Sequence, residues 1–162
     1  TTPTALDWRE TDIYLLKSNG IWRWVPEKNG LLFCDLADLR SETFFAAPHL
    51  KVAPVHIVYV SNRPRTETLI SRLGEGVVEK LRHSAWTPEK LEEMRTRSMI
   101  IDVGAKIQAV YMAAAAMDLS CVARTGFDAR HVERILRLQK GESVVAIQTL
   151  GYRPNSILDA IK

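Results

Sequence analysis

Short runs of apolar and β-branched residues, broken by turn-forming residues, open the chain. Residues 12–17 (DIYLLK), 20–25 (GIWRWV) and 30–34 (GLLFC) are separated by SNG and by PEKNG. Asn-Gly between such runs is a strong hairpin signal, because both residues tolerate positive φ. The first third is therefore predicted to be a β-meander. Leu36 to Glu42 reads as a short helical turn and APHLKVAP as a loop with proline at both ends. VHIVYV at 55–60 is nearly continuous in apolar character, which predicts a central strand covered on both faces.

The pattern then becomes helical. Residues 65–82 are amphipathic but interrupted by Gly74 and Gly76, which predicts a broken helix. Thr87-Pro88-Glu89 supplies a cap, a proline at the first helical position and an acid in the first turn. A long helix is expected after it, with Ile100, Val103, Ile107, Val110, Tyr111, Ala114 and Met117 as its core-facing positions and Ala113 to Ala116 as a thin stretch for close packing. SCVARTG reads as a strand, DARHVERILRL as an amphipathic helix capped by Asp128, and SVVAIQTLGY as a second buried strand. The sequence shows no internal repeat.

Composition narrows the function classes more than it selects one. The 162 residues suffice for one compact domain, and the 22 basic and 19 acidic side chains, net +3, are interleaved along the chain. That distribution argues against a nucleic-acid-binding stripe. Cys34 and Cys121 have no CxxC or Cys/His spacing and are expected to be buried thiols in a reducing compartment. No apolar run approaches the roughly 20 residues that span a bilayer, and no signal-peptide pattern is visible, so a cytoplasmic location is expected. GEGVVE at 74–79 has two glycines of a dinucleotide fingerprint but lacks the third and follows no predicted strand. GxSxG, HExxH and GxxxxGK are absent. His49, His56, His83 and His131 are scattered over unrelated segments and read as surface or hydrogen-bonded core residues, with no metal site among them. RTRS at 95–98 and the basic face of RHVERILRLQK read as solvated helix surface, and Trp22 with Trp24 as packing on one strand face. The residues alone carry the reading to an α/β or α+β domain.

Three segments go further. Pro3 to Tyr14 (PTALDWRETDIY) resembles the Pro-Ser-x-x-Asn-x-Gln segment of the FMN-dependent nitroreductase family, especially its branch of thiazole/oxazole-forming and related dehydrogenases. Ile101 to Gly126 is similar to that family's central helix and the strand that follows it, and VVAIQTLGYRP to its last core strand. The resemblance implies a single α+β nitroreductase-like domain over 1–162, with a central mixed or antiparallel sheet flanked by helices. It also implies FMN as cofactor, a homodimer, and two-step hydride transfer through flavin N5 between NAD(P)H or a small organic substrate and an acceptor. The alternative is a nitroreductase-like domain with weak or no flavin binding that serves as a partner subunit.

By the same resemblance, Pro3, Thr4 and Ala5 form a turn that approaches the isoalloxazine ring. Asp7 stands where the family often has Asn, and Arg9 where it often has Gln. An acid beside the ring's pyrimidine edge opposes the reduced anionic flavin and an arginine favours it, so the two changes partly offset. Thr125-Gly126 occupies the place from which a backbone N–H points toward N5, and glycine permits close approach. Gly104 and Gln108 are expected in helix packing or an interface. In the family an arginine-bearing helix that clamps the FMN phosphate precedes the turn; here the expected cationic partners are Arg124, Arg153 and Lys162, or a cleaved upstream segment that stays associated. Neither nucleic acid nor membrane is an expected partner.

Overall fold

The computed structural model describes residues 2, 4, 8–44, 53–65 and 87–152. Six strands form one sheet: β1 (Thr11–Lys17), β2 (Gly20–Val25), β3 (Gly30–Asp35), β4 (Val55–Asn62), β5 (Leu119–Arg124) and β6 (Glu142–Tyr152), in the spatial order β3-β2-β1-β4-β6-β5. Every neighbouring pair is antiparallel. The expected meander is β1-β2-β3. Gly20, at φ +124°, has no room for a side chain, since a Cβ there would meet the Asp35 carbonyl oxygen. Asn29, at φ 44°, turns the chain into β3. The short helical turn expected at 36–42 is a 3-10 turn at Arg40–Thr43, and the broken helix expected at 65–82 lies outside the described residues from 66 onward.

Helix α1 (Pro88–Ala116) and helix α2 (Ala129–Ile135) pack on opposite faces of the sheet. On one face Leu16, Ile21, Val58, Val60, Val144 and Ile147 gather with Val132 of α2; on the other Ile57, Tyr59 and Ala146 gather with Val103 of α1. Residues 56–61 of β4 are all buried, as the continuous apolar run predicts. Both helix starts follow the capping signals: the Thr87 side chain accepts from Lys90 N–H, and the Asp128 side chain from His131 N–H.

Two expectations need correction. Ile100 and Met117, assigned to the core face of the long helix, are 55% and 61% exposed, because α1 meets the sheet through the narrower stripe of Met99, Val103, Ile107, Val110 and Ala114. Cys34 is exposed rather than buried, because it stands on β3, the edge strand, where Leu31, Leu32 and Phe33 are also exposed. Glu92–Ala116 is long and apolar enough, by composition, to cross a membrane, although Arg95, Asp102 and Lys106 lie along it.

Candidate functional site

Strand β5 ends at Arg124, opposite Ile147, and the chain then leaves the sheet through Thr125 and Gly126, both exposed. Phe127 N–H donates to the Thr125 carbonyl at 3.0 Å, Phe127 packs against the core, and Asp128 caps α2. The turn is thus fixed from its far side. A Cβ built on Gly126 meets no described residue within 4 Å. The missing side chain is therefore not demanded by packing among the described residues, which leave the backbone here open.

Arg124 looks elsewhere. Its guanidinium donates to the Thr43 carbonyl, to Thr43 Oγ1 at 2.7 Å and to Thr149 Oγ1 at 3.3 Å, and lies 3.9 Å from the centroid of the Phe44 ring. Burial lowers the Arg124 pKa to about 10, because neutral oxygens and a ring replace water around the charge. Thr43 Oγ1 also reaches His56 Nδ1 at 3.1 Å, and both residues are fully buried. His56 is a hydrogen-bonded core histidine, as expected, while His131 pairs with Glu42 at 3.0 Å.

At the other end of the chain, Thr4 is half-buried and Arg9 is exposed, with φ 49°. Pro3, Ala5, Asp7, Arg153 and Lys162 lie outside the described residues. Topology nevertheless relates the two candidate segments. Thr11 of β1 faces Ser61, Ser61 faces Ser143, and β5 runs toward that same end of β6 as it reaches Arg124. The N-terminal segment and Thr125-Gly126 therefore leave in the same direction, but β5 ends level with Tyr14, four residues of β6 short of Ser143, so they are separated by three strand spacings, roughly 14 Å across the sheet, and by roughly 13 Å along it.

A group that sequence reasoning missed sits beside the first segment. Glu10 and Asp12 are buried, and so is Arg95, the first residue of the RTRS run read as solvated surface. The missed signal is the spacing 95, 99, 103, 107, which puts Arg95 in the apolar stripe of α1. Among the described residues no cluster of His, Cys, Asp or Glu could hold a metal ion.

Among solved structures, the chain is similar to a protein from Ralstonia eutropha JMP134 described as a nitroreductase (TM-score 0.74, 23% identity, 96% of this chain and 64% of that one). It is similar to another so described from Anabaena variabilis ATCC 29413 (TM-score 0.71, 18% identity, 92% and 28%). It is also similar to a chain of the E. coli microcin synthetase McbBCD complex with truncated pro-MccB17 bound (TM-score 0.70, 12% identity, 95% and 56%). The chain spans less than two thirds of the length of each of the three. No curated protein sequence matches it significantly. Residues 2–152 match the sequence profile of the Nitroreductase family over nearly the whole chain, and with a six-stranded antiparallel α+β fold shared with such proteins, the chain belongs to that family.

Proposed function

We propose that this chain is an FMN-dependent oxidoreductase that works as a homodimer on a small organic substrate, with NAD(P)H or the substrate itself as the hydride source. The observation that carries the reading is the open backbone at Thr125-Gly126, a fixed turn whose glycine faces space that no described residue fills. That geometry fits a flat ring approaching the backbone. When bound, the flavin accepts and returns hydride at N5, and the chain supplies position and electrostatics. Thr125 and Gly126 would hold the N5 side through main-chain groups, and the turn around Thr4 would meet the ring from the other segment.

The phosphate is a different matter. Arg124 is a poor candidate for it, since its guanidinium is already shared among Thr43, Thr149 and Phe44. Arg153, Lys162 or an associated upstream segment remains as the proposed cationic partner. The inward turn of Arg124 is also what favours the second reading, a domain that binds flavin weakly and serves as a partner subunit.

The dimer is supported by the outer face of α1, where Ile100, Ile101 and Met112 are 55%, 69% and 66% exposed beside Gly104, Gln108 and the alanine-rich turn. Apolar exposure on that scale marks an interaction face. A soluble, cytoplasmic location belongs to the same proposal. The visible absorption spectrum of the purified protein tests the reading: a flavin spectrum that survives gel filtration supports the oxidoreductase, and a colourless protein that takes up no added FMN supports the partner subunit.

A further inference from the structure

Arg95 stands one helical turn from Met99 in the buried stripe of α1, is 7% exposed, and has Glu92 of the same helix at 3.9 Å. Its Nε sits 3.0 Å from Glu10 Oε2, and Glu10 is 3% exposed. The other Glu10 oxygen accepts from Ser61 Oγ at 2.7 Å, and a second Arg95 nitrogen donates to the Arg63 carbonyl at 2.9 Å. A buried ion pair adds little net stability compared with an apolar pair of similar shape, so its presence is better explained by the position it specifies. What it joins is informative. One partner precedes β1, one ends β4, and one is the helix.

The backbone beside the pair is held as closely. Asn62 N–H donates to the Glu10 carbonyl at 2.7 Å, and Arg65 reaches the Arg9 carbonyl at 3.1 Å with one nitrogen and Asp12 Oδ1 at 2.7 Å with another. Arg9 itself adopts a left-handed φ of 49°, a conformation that a non-glycine residue keeps only where its surroundings determine it. The chain direction from Arg9 into β1 is thus set by contacts from β4, from the residues after it and from α1.

We propose that Arg95, acting through Glu10 and Ser61, is a positioning residue that fixes where the N-terminal turn stands relative to the flavin. The proposal rests on the flavin reading above, in which the group is assigned no contact with the ring. Loosening the group would shift the turn while the sheet stays intact.

Hydrogen exchange of the flavin-free protein, together with the FMN dissociation constant, tests this in Arg95→Lys and in the milder Ser61→Ala. Arg97→Ala serves as control, since Arg97 is an exposed residue on the same helix paired with Glu93. Loss of one buried hydrogen bond is expected to speed exchange across residues 2–10 and to weaken FMN binding, each about tenfold, with β4 and β6 unchanged and the control unaffected. Unaltered exchange at 2–10 in both variants overturns the positioning role, whatever FMN does. Faster exchange with an unchanged FMN constant overturns the link to the cofactor. A parent chain that binds no FMN overturns the flavin reading instead, and exchange still reports whether the group holds the segment.

Discussion

Gly126 is the residue where protein packing and proposed function make different demands. No described residue lies within 4 Å of a Cβ placed there, so Gly126→Val is expected to fold and melt as the parent does. On the flavin reading its branched side chain stands where the ring approaches, and FMN affinity falls by about tenfold or more; equal affinity in a fluorescence titration would remove Gly126 from the site. Tyr59 gives a pH prediction. Its hydroxyl donates to Gln148 Oε1 at 2.7 Å, and burial first, then the neighbouring Cys121 and Tyr111, pushes its pKa well above the ordinary tyrosine value of 10.0. Above pH 10 the unfolded chain loses this proton while the folded chain keeps it, so stability falls by up to about 1.4 kcal/mol per pH unit. Urea unfolding from pH 7 to 11 should show that decline, and Tyr59→Phe should flatten it, leaving the smaller part due to Tyr14, whose pKa burial and then Glu142 also raise. At neutral pH the same variant costs about 1–3 kcal/mol, because Gln148 Oε1 loses its buried donor. Gly126 was legible as a candidate through the family resemblance. The exposure of Cys34 was not, because an apolar run such as GLLFC reads the same on an edge strand as on a central one.

The capping signals of α1 and α2 were legible to the residue, since a cap is a local event that needs no knowledge of the rest of the fold. Thr87→Ala is expected to cost about 1 kcal/mol in chemical unfolding, with the loss confined to the first turns of α1 in hydrogen exchange. The buried face of α1 was a different problem. Apolar residues lie nearly all round this helix, so periodicity joined Ile100 and Met117, which are exposed, to Val103 and Ala114, which are buried. Arg95 was misread for a related reason: a lone charge inside an apolar stripe looks like the edge of the polar face until its partner is known, and Glu10 is 85 residues away. Arg95→Met should leave buried Glu10 without its Arg95 counter-charge and cost about 3–5 kcal/mol in unfolding free energy. A loss under about 1 kcal/mol would mean that Ser61 and the other partners of that carboxylate suffice to hold its charge.

At the scale of the molecule, strand order follows from hairpins only for β1 to β3; the central place of β4 followed from its unbroken apolar run, whereas the β5-β6 edge needed the structure. The outer face of α1 then poses the question of what covers it. A homodimer is the proposed answer, expected in sedimentation at twice the 18.3 kDa chain mass, and Met112→Glu is expected to shift it toward monomer with loss of FMN affinity. A parent chain that stays monomeric at every concentration would contradict it. The central claim, that this chain binds FMN, is tested most directly by titrating FMN into purified protein and following flavin fluorescence. A saturable change at one FMN per chain is expected, shifted to about tenfold or more higher concentration by Gly126→Val and weakened by Met112→Glu; a fluorescence signal indistinguishable from free FMN at every protein concentration would contradict it.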